Sequence, residues 1–343
     1  MSRSVLVTGG AGFIGSHCVI ELIKDGFEVV IIDNWTNSSK ECIPRLEQIA
    51  GKKITALTGD ICDKQQIEKI FESFNFFAVL HLAAFKAVGE SCRKPIEYFM
   101  NNVYGSLNVL EAMKKYRVKN FVFSSSCTVY GKPEYLPLDE KHPSNNDHIT
   151  NPYGRSKFMV ENILKDLYSS DKSWNIVILR YFNPVGAHES GLIGEDPRGE
   201  PTNLMPFISQ VAVGRRSEVN IFGSDYDTKD GTGVRDYIHI FDLARGHSLA
   251  MAKLEQNPGL KIYNLGTGKG YSVLEMIRTF EKVTGLDIPK RFVPRRAGDV
   301  PSIYAISDLA EKELGWKATK NLEDMCRDMW NWQSKNPNGF ECV

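Results

Sequence analysis

Ser4-Val5-Leu6-Val7-Thr8-Gly9-Gly10-Ala11-Gly12-Phe13-Ile14-Gly15 is the run that decides the fold. Its opening is short and mostly apolar, the pattern of a strand buried on both faces of a parallel sheet. Glycines at 9, 12 and 15 follow, and a helix is expected from Ser16 to Asp25. Glu28-Val29-Val30-Ile31-Ile32 reads as a second strand ending at Asp33. Strand, glycine turn, helix and strand in this order make a unit suited to a dinucleotide, although the spacing is Gly-x-x-Gly-x-x-Gly rather than Gly-x-Gly-x-x-Gly. The glycines permit the tight turn, close approach of a pyrophosphate and close helix–strand packing. The helix N-terminus offers free N–H groups and a positive dipole end to phosphates. Asp33 suits a ribose diol and would repel a 2′-phosphate, so NAD is expected rather than NADP.

The alternation continues outward. Thr55–Thr58, Ala78–Ala84, Asn120–Ser124 and Asn175–Arg180 read as further buried strands with helices between them. Strands alternating with helices imply right-handed crossovers and a doubly wound parallel α/β sheet of Rossmann type. Ligands of such sheets sit beyond the strand C-termini. Gly9–Gly15, Asp33, Asp60, Ala83–Lys86, Ser124–Ser126 and Tyr181–Asn183 all fall at that edge. Beyond Asn183 the chain turns rich in Gly, Pro and polar groups, with short strands such as Val219–Phe222. Amphipathic helices are expected near Val273–Thr284, Ser307–Leu314 and Asn321–Lys335. The expected division is a dinucleotide domain over 1–182, to which about 236–266 returns, and a smaller mixed substrate domain over 183–343.

Asn151-Pro152-Tyr153-Gly154-Arg155-Ser156-Lys157 opens a helix, since Pro152 suits a first turn. Tyr153 and Lys157 are four apart and share a face. A phenol ionises too high to act as a base near neutrality, and a nearby ammonium lowers it. A Tyr tuned in this way takes a proton from an alcohol.

Composition limits the alternatives. Apolar residues are 42% and charged residues 24% of 343, which fits a packed core. Lys plus Arg balance Asp plus Glu, which argues against a nucleic-acid-coating or membrane-surface protein. The cysteines (18, 42, 62, 92, 127, 326 and 342) are scattered, without Cys-x-x-Cys pairs. They give neither a disulfide framework nor a zinc pattern, and the histidines show no ligand spacing, so no metal is expected. No secretory leader or bilayer-long apolar run is evident, and a cytoplasmic protein is expected.

Taken together, Thr8–Gly15, Asp33-Asn34, Gly59–Ile61, His81–Ser91, Phe123–Gly131, Asn151–Lys157 and Arg180–His188 resemble the extended short-chain dehydrogenase/reductase superfamily. Asn203–Phe207, Asp230–His247 and Arg295–Asp299 narrow the resemblance to its UDP-hexose 4-epimerases, over essentially the whole chain. The resemblance implies an NAD-dependent isomerase that interconverts UDP-galactose and UDP-glucose through a 4-keto intermediate. Ser126, Tyr153 and Lys157 are its implied catalytic residues. Its implied cofactor contacts are Gly9, Gly12, Phe13, Ile14, Gly15, Asp33, Asn34, Asp60, Ile61, Ala83, Lys86, Asn101, Ser124, Tyr153, Lys157 and Tyr181. For the UDP-sugar they are Lys86, Ser126, Tyr153, Asn183, Asn203, Leu204, Phe222, Arg235, Tyr237, Arg296, Asp299 and Ile303. Paired guanidinium forks suit a diphosphate. The helices over 96–113 and 158–167 are the implied faces of a homodimer.

Certain positions depart from the family. Trp35 stands where Leu is usual, beside the adenosine site. Cys127 replaces Ala and reads as a packing substitute. Ile303 is intermediate between the bulky Tyr that restricts the sugar pocket and the small residues that admit N-acetylated sugars. Weak action on UDP-GlcNAc and UDP-GalNAc follows as an expectation. A superfamily dehydratase would carry an acid pair after Ser126, where this chain has Cys127-Thr128. A non-catalytic NAD-binding protein would be expected to lose Tyr153 or Lys157.

Overall fold

The structure, a computed structural model, describes residues 3–296 and 299–341. Its strands are β1 (Ser4–Thr8), β2 (Glu28–Asp33), β3 (Thr55–Thr58), β4 (Ala78–His81), β5 (Asn120–Ser126), β6 (Asn175–Tyr181), β7 (Asn183–Val185), β8 (Val219–Phe222), β9 (Val234–His239), β10 (Leu260–Leu265), β11 (Gly270–Ser272), β12 (Lys290–Val293) and β13 (Ser302–Ile303). Its α-helices are α1 (Phe13–Lys24), α2 (Cys42–Ala50), α3 (Lys64–Ser73), α4 (Val88–Arg93), α5 (Pro95–Phe99), α6 (Gly105–Lys115), α7 (Pro152–Ser170), α8 (Leu204–Ala212), α9 (Ile240–Lys253), α10 (Val273–Thr284), α11 (Asp308–Leu314) and α12 (Leu322–Lys335).

A seven-stranded parallel sheet runs β10-β6-β5-β4-β1-β2-β3. Successive strand residues face opposite sides, and here they feed two cores. Val5, Val7 and Ile31 join Cys18 and Leu22 of α1 with Leu243 and Met251 of α9. Leu6, Val30 and Ile32 join Ile67 and Phe71 of α3, Met113 of α6 and Leu164 of α7. Because all seven strands are parallel, their C-terminal ends make one edge, and the loops there build the site. After β6 the chain leaves this sheet, and β10 returns to it beside β6.

The later strands gather around β9. Val234–Asp236 pairs antiparallel with β11, Val234 and Arg235 pair parallel with β13, and Tyr237–His239 pairs parallel with β7. A separate parallel pair joins β8 to β12. Side-chain caps start several helices: Asn151 accepts from the Gly154 N–H at α7, and reciprocal Ser272/Glu275 and Asn321/Asp324 boxes open α10 and α12.

Three sequence expectations shift. The first helix starts at Phe13 rather than Ser16, because the turn closes early, with the Gly12 N–H on the Gly9 carbonyl and the Ser16 N–H on that of Gly12. The strand expected over 78–84 ends at His81. The Leu82 N–H still reaches the Thr8 carbonyl as well as its hydroxyl, whereas the Ala83 N–H bonds the Thr8 hydroxyl instead of a strand carbonyl. The 96–113 segment is not one regular helix, since a π-helical turn (Met100–Tyr104) separates α5 from α6. Cys342, and Ala297 and Gly298 of the Arg295–Asp299 motif, lie outside the described residues.

Candidate active site

The dinucleotide end is built around the glycine turn. Gly9 holds φ +70°, and a Cβ there would stand 2.9 Å from the Ala83 nitrogen. At Gly15 a Cβ would lie 2.2 Å from the Gly9 carbonyl oxygen. These two glycines are required by the turn itself. Gly12 differs, since a Cβ there would meet only the Gly9 oxygen, at 3.4 Å. The protein itself leaves that space open. Gly12 is also the N-cap of α1 and makes no side-chain cap bond, unlike Asn151 at α7. The first N–H groups of α1 therefore remain available for phosphate. These features fit a bound dinucleotide.

Asp33 is buried and fixes this turn. Its carboxylate accepts from the Ala11 N–H at 3.1 Å, the Trp35 N–H at 3.0 Å and the Ser38 hydroxyl at 2.7 Å. Asn34 donates to Asp60 at 2.9 Å, tying the β2 end to the β3 end. Trp35 adopts φ +61° and its indole donates to Thr58 at 2.8 Å, forming the rim of this region. One cleft brings together Gly9, Asp33, Asn34, Ile61, Ala83 and Asn101 from the expected set. Phe85, within the expected Ala83–Lys86 stretch, lines it too, as do Thr36 and Asn37, which were not anticipated. Phe85 is placed by the buried Asn102, which bonds both its N–H and its carbonyl.

The expected catalytic side chains meet at the β5 end. Ser126 is the last residue of β5 and accepts from the Thr128 N–H at 3.2 Å and the Thr128 hydroxyl at 3.1 Å. With its lone pairs engaged, the Ser126 O–H is left as a donor. Tyr153 is 9% exposed. Burial pushes its phenol up to about 12, with the Ser126 hydroxyl pulling the other way. This reverses the direction expected from the Lys157 pairing. In the protein alone, desolvation dominates, and the Lys157 ammonium is engaged elsewhere, donating to the Ser124 carbonyl at 2.6 Å. Lys157 itself is pushed down to about 7 by burial, opposed by Glu161. The Ser124 hydroxyl bonds the Tyr181 hydroxyl.

Sequence reasoning missed the buried brace behind this group. Glu161, fully buried and one turn past Lys157, accepts from Ser125 at 2.6 Å and from Arg180 at 2.9 and 2.6 Å. Its position four residues beyond Lys157 on the same helix face was the available signal.

On the substrate side, β9 gathers scattered candidates. Asn183 is paired with Tyr237, and Ile303 with Arg235. Asp299 lies between two guanidinium groups, 3.5 Å from Arg235 and 3.0 Å from Arg296. Arg296 stands over the Phe222 ring at 4.8 Å, and Phe222 is exposed at the β8 end. Asn203 caps α8 and Leu204 begins it. Asp236, facing the other way, is buried and anchors Thr267, Gly268 and Ala305 through their N–H groups. Lys86 bonds Glu195 at 2.7 Å. Cys127 has its thiol pushed up to about 12 by burial, which disfavours the thiolate needed for redox chemistry.

A parallel sheet in this order, a glycine turn with room for phosphate, and Ser, Tyr and Lys at one strand end define an extended short-chain dehydrogenase/reductase. A family model described as GDP-mannose 4,6 dehydratase matches residues 6–329. The UDP-glucose 4-epimerase of Homo sapiens is 54% identical over 346 residues, covering 99% of both chains. That of Pasteurella multocida (strain Pm70) is 55% identical over 337 residues, covering 98% of this chain and 99% of its own. The crystal structure of UDP-glucose 4-epimerase from Bifidobacterium longum, in complex with NAD+ and UDP, superposes with a TM-score of 0.95 at 54% identity. It covers 98% of this chain and 99% of that one. The chain belongs to the UDP-glucose 4-epimerase family.

Proposed function

We propose that this protein catalyses the reversible interconversion of UDP-galactose and UDP-glucose. The observation that carries the reading is Ser126, whose hydroxyl lies beside the buried Tyr153 at the end of β5. NAD, when bound, supplies the chemistry of taking hydride from sugar C4 and giving it back, with a 4-keto sugar nucleotide between.

Tyr153 takes the proton from the C4 hydroxyl and later returns it. Because burial holds the phenol high, positive charge brought beside it is what brings it into the working range. Ser126 donates to the C4 oxygen as charge develops there. Lys157, anchored on Ser124 and on the same helix face as Tyr153, adds positive charge there in its protonated form, which burial confines to pH below about 7. Arg235 and Arg296 hold the diphosphate, so affinity resides away from the reacting sugar and the ketone is free to turn its other face. Dehydration is disfavoured. The positions after Ser126 are a half-buried thiol and a hydroxyl, neither of which supplies the acid and base that elimination needs.

The division at 182/183, a cytoplasmic setting and a homodimer belong to the same reading. Ile96, Met100, Tyr104 and Leu107 on α5 to α6, with Met159 on α7, are exposed apolar residues, as a self-association face requires. A clean monomer on sedimentation would remove the dimer. The function is tested by giving the purified protein UDP-galactose alone and separating the nucleotide-sugar products. Formation of UDP-glucose without net oxidation is expected; unchanged UDP-galactose would overturn the reading.

A further inference from the structure

Glu195 lies in the loop between β7 and α8, 5% exposed. Its Oε1 accepts from the Lys86 ammonium at 2.7 Å and from the Asn203 side-chain amide at 3.0 Å. Its Oε2 is buried without a hydrogen-bond partner. Its backbone is held in place, because the Glu195 carbonyl accepts from the Trp332 indole at 3.3 Å. A Cβ on the preceding Gly194 would stand 2.4 Å from the Trp332 ring. Lys86 comes from the loop after β4 of the large sheet, and Asn203 stands at the N-cap position of α8. One buried carboxylate thus joins a donor from each of these places, and among the described residues Lys86 is its only ion-pair partner.

We propose that Glu195 is a positioning residue for UDP-sugar binding, holding Lys86 in one arrangement before the ligand arrives. This rests on the UDP-sugar reading above. Lys86 is a flexible side chain and is 46% exposed, so unrestrained it would lose rotamer freedom on binding. Ordered in advance by Glu195, it does not, and preorganisation of this kind raises affinity without adding a ligand contact. The arrangement also ties stability to Lys86. A carboxylate this buried is costly once its counter-charge is removed.

Titration of UDP into the NAD-loaded protein tests the proposal. UDP is expected to bind Glu195→Gln about tenfold more weakly than wild type, the size of one charge-assisted hydrogen bond. In a Lys86→Met background the same change is expected to cost less than about threefold, because the residue acts through Lys86. Lys86→Met alone is expected to melt lower than wild type, and Lys86→Met/Glu195→Gln to recover the melting temperature without recovering UDP affinity. Unchanged or tighter UDP binding by Glu195→Gln overturns the proposal, as does a full cost retained without Lys86. Failure of the wild type to bind UDP would instead overturn the functional reading.

Discussion

Lys157 Nζ donates to the Ser124 carbonyl oxygen across 2.6 Å from a side chain that is 4% exposed. Burial pushes this ammonium from 10.5 down to about 7. The unfolded chain therefore binds more protons than the native one between about pH 7 and 10.5, so this group makes stability rise with pH across that window. That contribution is lost as pH falls through the lower value. Lys157→Met is expected to flatten the rise and to melt above the wild type below pH 7, while losing turnover. Melting curves across the pH window check this, and parallel pH slopes for the two proteins would contradict it.

Tyr153→Phe removes the proton acceptor and leaves the shape of the site. A positioned acid–base group contributes about 10²- to 10⁴-fold, so turnover is expected to fall by about a thousandfold with UDP affinity unchanged. Ser126→Ala removes the donor whose acceptor side is already engaged by Thr128. A smaller loss in kcat is expected, about a hundredfold. Steady-state kinetics beside UDP titration separate the two, and a Tyr153→Phe enzyme near wild-type rate would falsify the assigned role.

The glycines of the turn differ in how much room the protein leaves around them. Gly15→Ala would place a Cβ 2.2 Å from the Gly9 oxygen, whereas Gly12→Ala meets nothing of the protein nearer than 3.4 Å. Gly12→Ala is expected to melt within a few degrees of wild type and to bind NAD at least about tenfold more weakly. Gly15→Ala is expected to lose stability first. Equal NAD affinity in Gly12→Ala and wild type would show that phosphate does not use this gap.

Glu161 and Arg180 form a buried pair at 2.6 Å that also holds Ser125. Breaking such a pair on one side leaves an uncompensated charge and costs about 3–5 kcal/mol. Glu161→Leu is expected to lose stability in that range. Denaturant unfolding measures it, and a loss near zero would mean that Arg180 finds another partner.

The βαβ unit was legible because its glycines act within one turn and Asp33 closes the very next strand. The edge was legible because parallel order forces every strand end to the same side. Asn102 and Glu195 were not legible, and of Glu161 only its helix face was. Their partners, Phe85, Lys86 and Arg180, come from other elements, and only the folded chain supplies the pairing. Burial of Tyr153 was missed for a related reason. A four-residue spacing specifies a shared face, but not whether solvent or protein covers it.

Ile303 pairs with Arg235 and packs against the small cluster of Val129, Tyr130, Leu138, Phe182 and Ala305. The resemblance puts it where side-chain volume limits the sugar, and Ile lies between the bulky and small alternatives. One methylene at such a wall is worth about 10- to 200-fold in discrimination. Wild type is expected to turn over UDP-GlcNAc weakly. Ile303→Ala is expected to raise that rate at least about tenfold relative to UDP-galactose, and Ile303→Tyr to abolish it. The ratio of kcat/KM for the two sugars reads this directly. Zero turnover of UDP-GlcNAc in both wild type and Ile303→Ala would mean that another residue sets the limit.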